Sequence, residues 1–239
     1  MTRQHIRSTR LATIPLAAML CFASVAQAGP PLVCHTFEIG GARSLPWSSH
    51  NGNLSGGENY DTKNLVPDTL EILAPDTPIL VRMETLRRAT LYARKDPVAA
   101  KELLARLHAR ATAAESSRHP DALAWFDEGY LAETYKQWIG KNMPHMTDGM
   151  RMDANPAAGL DGYALVKKAL TLRGADPQME FAAAMITLSG PQEEHRQHAQ
   201  RAIAGAKSDS LLAQNLATPF LGQQKQTVSA MLANNSGPN

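Results

Sequence analysis

Apolar residues recur at spacings of three and four over most of the chain beyond Pro78, the signature of helices that bury one stripe each. Leu80, Met83, Leu86 and Thr90 make the first stripe, which ends near Lys95. Pro97 opens a second helix whose stripe is Ala100, Leu103, Leu104 and Leu107, with Lys101, Glu102, Arg106 and Arg110 directed elsewhere, and the pattern fades by Glu115. Pro120 stands just inside a third, where its missing N–H costs nothing, and Leu123, Phe126, Tyr130, Thr134 and Trp138 repeat along it. Proline and glycine at 144, 149, 156 and 159 break the pattern over 141–159, predicting a long loop, and long loops are often functional. Helical spacing returns at Tyr163, Val166 and Leu170, then from Pro177 through Phe181 and Met185, again from Pro191, and last through Leu211, Leu212 and Leu216. Pro219 and Gly222 interrupt that last helix, and Val228–Leu232 continues it.

The expected fold is mainly α, an irregular α-solenoid or helical bundle of about six to seven helices over 78–233, with an extended, loop-rich N-terminal arm over 29–77 and a frayed tail over 234–239. Within the arm, period-two alternation predicts a short strand from Leu32 to Ile39 with Phe37 and Ile39 on one face, and the glycine-, serine- and asparagine-rich stretch 40–64 predicts loop.

Residues 1–28 are expected to be a cleavable export signal. Arg3, Arg7 and Arg10 precede an apolar stretch from Leu11 to Val25, followed by Ala26-Gln27-Ala28, so cleavage is expected before Gly29. The apolar stretch is too short to span a bilayer, and the mature chain is expected to be periplasmic or secreted with no membrane anchor. The whole chain carries 24 basic and 22 acidic residues. Removing three arginines with the leader leaves a net charge of −1 and no basic run, which argues against nucleic acid. Cys34 is the one cysteine outside the leader, so packing rather than an internal disulfide must hold the mature fold.

Ala89 aligned with Ala169 sets RRATLYARKDPVAAKEL over KKALTLRGADPQMEFAA. Each has a basic pair, an alanine, apolar positions, then Asp-Pro restarting a helix. Trp125 followed by Gly129 is a further echo. Over 78–206 these residues resemble tetratricopeptide-like repeats, in which one helix ends in an alanine-containing segment and the next restarts after such a pair. The match is partial: Glu128 stands where the family has Leu, and the prolines are unevenly spaced. The resemblance implies an α-solenoid with a concave face that binds protein or peptide, and it brings no catalytic residues.

Candidate chemistry is sparse. Met143, His145, Met146, Met150 and Met152 place four thioethers and an imidazole within ten residues. Outside the cytosol such soft donors suit Cu(I), while methionine also fills gaps under loops. Cys34 and His35 are adjacent and could add a second soft site or a reactive thiol, or Cys34 could pack as a small hydrophobe. Trp125, Tyr130, Tyr135 and Trp138 could anchor a partner or pack against neighbouring helices. Glu194, His195 and His198 read as a solvated helix start, and Asp127, Glu128 and Glu133 as the wet side of the aromatic helix. No nucleophile elbow, phosphate loop or dinucleotide fingerprint occurs. The leading expectation is therefore an exported, non-catalytic protein- or peptide-binding module. A periplasmic copper-handling protein and an unrecognised hydrolase are the alternatives. Copper handling predicts stoichiometric Cu(I) uptake under reducing conditions, abolished when Met143, His145, Met146, Met150 and Met152 are replaced together; titration of both proteins against a chromogenic Cu(I) chelator checks it.

Overall fold

The computed structural model describes residues 31–47, 57, 59–94, 96–115, 117, 120–138, 155–220 and 226–234. Residues 1–28, expected to be an export signal, and the Met/His stretch lie outside these residues, as does the side chain of Trp138. The protein is mainly helical, and the described residues contain no strand.

The helices are α1 (Pro31–Cys34), α2 (Leu65–Ile72), α3 (Ile79–Ala93), α4 (Pro97–Glu115), α5 (Ala122–Trp138), α6 (Gly162–Arg173), α7 (Pro177–Ile186), α8 (Gln192–Gly205), α9 (Ser210–Ala217) and α10 (Val228–Asn234). The ten helices of the described residues exceed the expected six to seven because the last stripe divides into α9 and α10, and because two short helices form before Pro78. Both Asp-Pro pairs start helices for the same physical reason. Asp96 Oδ1 accepts from the Ala99 N–H at 3.0 Å, and Asp176 Oδ1 accepts from the Gln178 and Met179 N–H groups at 3.0 and 3.1 Å. Each carboxylate satisfies amides that the new helix leaves without carbonyl partners, and proline supplies a preset φ at the first position.

Helix α3 is the central element. Every one of its residues except Arg88 is buried, because α1, α2, α4, α5 and α7 all pack against it. The stripe read from the sequence is only part of its buried surface. Arg82, Glu84 and Arg87 are at 0 % exposure. Arg82 Nη1 donates to Asp127 Oδ2 of α5 at 2.6 Å, and Arg87 donates to both Glu84 oxygens at 2.7 and 2.9 Å. Asp127 and Glu128, expected on a wet face, are at 0 and 1 % exposure, because α5 is also covered by α3, α4 and α6. Burial pushes the Asp127 carboxyl up to about 6 against the pull of Arg82.

The segment expected to pair as a strand does not. Its first turn is α1, and the chain then runs extended with Phe37 buried and Ile39 half-buried. Side chains take the place of a partner strand. Phe37 N–H donates to Glu84 Oε2 at 3.1 Å, Glu38 N–H donates to Asn215 Oδ1 at 2.9 Å, and Asn215 Nδ2 donates back to the Glu38 carbonyl at 2.9 Å. Backbone groups that would otherwise be buried without partners are satisfied without a sheet.

Helices α5 and α6 touch backbone to backbone at Gly129 and Gly162. A Cβ on Gly129 would lie 2.6 Å from the Gly162 carbonyl oxygen and 2.9 Å from Leu165 Cβ, closer than van der Waals contact allows. Gly129→Val is therefore expected to push the pair apart and lower the unfolding free energy by about 1–3 kcal/mol or more, the usual cost of overpacking, measured by urea denaturation against wild type.

Candidate functional site

Of the four residues singled out as partner anchors, the three whose side chains are described are placed inside the fold. Tyr130 and Tyr135 are at 0 % exposure and Trp125 at 7 %. Tyr130 stacks on Phe126 at 5.6 Å, Tyr135 donates its hydroxyl to the Ala100 carbonyl at 3.2 Å, and the Lys168 ammonium covers the Trp125 ring at 3.5 Å. These aromatics join helices together and present no anchoring surface. α5 has neighbours on several sides, so rings pointing in different directions all find cover.

Cys34 is half-buried and His35 is buried beside it in sequence. Burial raises the Cys34 thiol above its ordinary value, with Arg87 opposing it more weakly, so the thiolate a nucleophile or soft ligand requires is disfavoured. His35 is at 2 % exposure, edge-on to Phe37 at 5.1 Å and stacked on Phe220 at 5.5 Å. Among the described residues no three His, Cys, Asp or Glu side chains gather as a metal-holding group.

The two histidines expected on a solvated helix start are buried, His195 at 0 % and His198 at 7 %. With Ala199 and Ala202 they form the stripe of α8, one turn apart, and that stripe faces α7. His195 is walled in by the carbonyls of Ala184 and Leu232, at 3.1 and 3.2 Å from its two ring nitrogens. His198 instead reaches the edge of an open cleft of about 430 Å³.

That cleft lies between α6, α7 and α8. Tyr163, Lys167 and Leu170 come from α6, Gly174 and Ala175 from the following turn, Glu180 from α7, and Glu194, Gln197, His198 and Arg201 from α8. At its floor Tyr163 Oη is 2.8 Å from His198 Nε2, and His198 Nδ1 is 2.5 Å from Glu180 Oε2. The other Glu180 oxygen accepts from Arg201 at 3.2 Å, and at the rim Lys167 donates to Glu194 at 3.2 Å. Glu180 is 5 % exposed, so its carboxylate is held by two donors rather than by water. Burial and then the Glu194 carboxylate hold the Tyr163 phenol protonated, well above its ordinary range. The floor is an ordered Tyr–His–Glu chain, and charged ends surround it.

Sequence reading reached His198 and Glu194 but not Glu180, Lys167 or Arg201. The signal for Glu180 was present: it is a lone carboxylate inside the otherwise apolar run PQMEFAAAMI of α7, where only an internal partner makes a charge tolerable.

Burial lowers His35 from its ordinary value to about 4, with Arg87 lowering it further and Glu84 opposing. A base held neutral in the fold contributes stability at pH above about 6.5 that is lost as pH falls through about 4, an effect of about 3 kcal/mol. Urea unfolding of wild type and His35→Phe across pH 7 to 3.5 should give a steeper loss in wild type by roughly that amount.

Comparison of the chain with family models, characterised proteins and solved structures returns no match.

Proposed function

We propose that the chain is an exported helical-repeat protein that binds a protein or peptide partner without catalysis, and that the cleft between α6, α7 and α8 is where the partner sits. The observation that carries this reading is the cleft's construction. A buried, hydrogen-bonded floor fixes the positions of side chains whose charged ends remain accessible: the side chains of Arg201, Lys167 and Glu194 are 56, 46 and 40 % exposed. Preordered side chains around an open groove lower the entropy lost when a partner docks. The repeat reading is supported by the two Asp-Pro junctions, which cap α4 and α7 alike.

A hydrolase reading would use His198 as a base, with Glu180 orienting it. The imidazole nitrogen that would serve a nucleophile faces the Tyr163 hydroxyl instead, and among the described residues no serine or cysteine lines the cleft. Tyr163 is held protonated, the opposite of an activated nucleophile. These features favour binding over turnover. Among the described residues no helix is long and apolar enough to cross a membrane.

Ala175 is exposed at the cleft mouth, so Ala175→Trp should fill the groove without disturbing the core. On an array of peptides of varied sequence, wild type is expected to retain a subset. Hydrogen exchange should slow in α6 and α8 when those peptides bind, and Ala175→Trp should lose them. Retention unchanged in the variant would place binding elsewhere and overturn the assignment.

A further inference from the structure

The hydrogen-bonding inventory of the cleft is lopsided. An arginine has five N–H donors and a lysine three, yet Arg201 spends one on Glu180 and Lys167 one on Glu194. Fewer acceptor positions stay open. Glu180 is buried and closed off by His198 and Arg201, while Glu194 accepts from Lys167, is engaged by Tyr163 and keeps 40 % of its side chain exposed. Thr171, also in the cleft, turns its hydroxyl back to the Lys167 carbonyl at 2.9 Å. What faces an incoming molecule is a surplus of cationic N–H donors on α6 and α8, with half-buried Leu170 and exposed Ala175 lining the same cleft.

From this inventory, which rests on the binding reading above, we infer that the cleft recognises an extended peptide through an acidic side chain, with a small apolar residue beside it. The carboxylate bridges Arg201 and Lys167, and the apolar neighbour covers Leu170. Charge-assisted N–H to carboxylate bonds are the stronger kind, and arginine's planar fork suits two oxygens at once. The two cleft carboxylates, Glu180 and Glu194, set an upper limit on ligand charge. A singly charged side chain meets the donors without strong repulsion, whereas a doubly charged free phosphate sits against both glutamates. A basic peptide meets Arg201 and Lys167 as like charges and must compete with Lys167 for Glu194.

The position of the donors relative to the floor makes the contact selective. Glu180 anchors one end of the Arg201 guanidinium at 3.2 Å, and Glu180 is itself held by His198, which Tyr163 bonds in turn. Lys167 lies over the Tyr163 ring, with its ammonium 4.6 Å from the ring centre. Both cations are thereby tied to the same Tyr163–His198–Glu180 chain, one at each end.

The test uses the purified protein and fluorescein-labelled eight-residue peptides alternating Glu and Ala, with Gln/Ala and Lys/Ala counterparts, followed by fluorescence anisotropy at low and physiological salt. The Glu peptide is expected to bind about tenfold or more tighter than the Gln peptide, to weaken as salt screens the contact, and to be lost in Arg201→Glu and Lys167→Glu. Lys167 is exposed enough for its variant to keep wild-type circular dichroism and melting temperature; Arg201→Glu takes a donor from buried Glu180 and is expected to melt lower. Lys167→Glu is therefore the arm that separates lost binding from lost folding, and the same samples report both. Ala175→Trp should block binding as well. If the Gln or Lys peptide binds as tightly as the Glu peptide and Ala175→Trp still blocks it, the acidic preference is wrong while peptide binding stands. If inorganic phosphate displaces the Glu peptide at equimolar concentration, the site is one for free anions and the peptide assignment is overturned. If peptides of all three kinds, and those of the array, fail to bind, the binding reading fails with it.

Discussion

A carboxylate in a protein core costs several kcal/mol unless donors surround it, and Glu84 is the place where this fold meets that requirement. Its two oxygens accept from Arg87 at 2.7 and 2.9 Å, from Arg88 at 2.7 Å and from the Phe37 N–H at 3.1 Å. The same arginines reach onward, Arg87 to the Val33 carbonyl at 3.1 Å and Arg88 to the Leu45 carbonyl at 2.6 Å. One buried carboxylate thus ties the central helix to both ends of the N-terminal segment. Without that segment Glu84 and Arg87 would lose their outer partners; without the charges the segment's backbone would be buried with nothing to bond. Each makes the other tolerable, so residues 31–47 are part of the core rather than an appendage.

The same logic recurs at smaller scale. Arg82 pairs with Asp127 and also donates to the Thr77 carbonyl at 3.0 Å, pinning the turn before α3 to α5. Glu180 pairs with His198 and Arg201, pinning α7 to α8. The difference lies in what covers the pair. Arg82–Asp127 is sealed on every side, whereas the Glu180 cluster opens on one side into the cleft between α6, α7 and α8. An ion pair placed for packing becomes available for recognition where one neighbour is absent.

The helical class was legible because it rests on local periodicity. The stripe of α4 emerges at the residues that its spacing selects, Ala100, Leu103, Leu104 and Leu107, whereas that of α8, His195, His198, Ala199 and Ala202, was not legible, because two of its members are imidazoles that read as solvated. Asp-Pro junctions were legible because a cap acts over three residues. The strand expected over 32–39 failed because alternation specifies an extended chain but not its partner, and the partner turned out to be side chains from α3 and α9.

By itself, then, the sequence determined where the longer helices beyond Pro78 start and, for α3, α4 and α5, which stripe each one buries first, all consequences of interactions within a few residues of one another. Only the tertiary structure decided which charged residues lie inside, because α3 is enclosed by five helices and no local pattern counts neighbours. It also decided the cleft. Tyr163, Glu180 and His198 are separated by 17 and 18 positions in the chain and share no motif. They meet because three helices pack with their polar positions turned toward one opening, an arrangement set by the fit of whole helix faces rather than by any short run of residues.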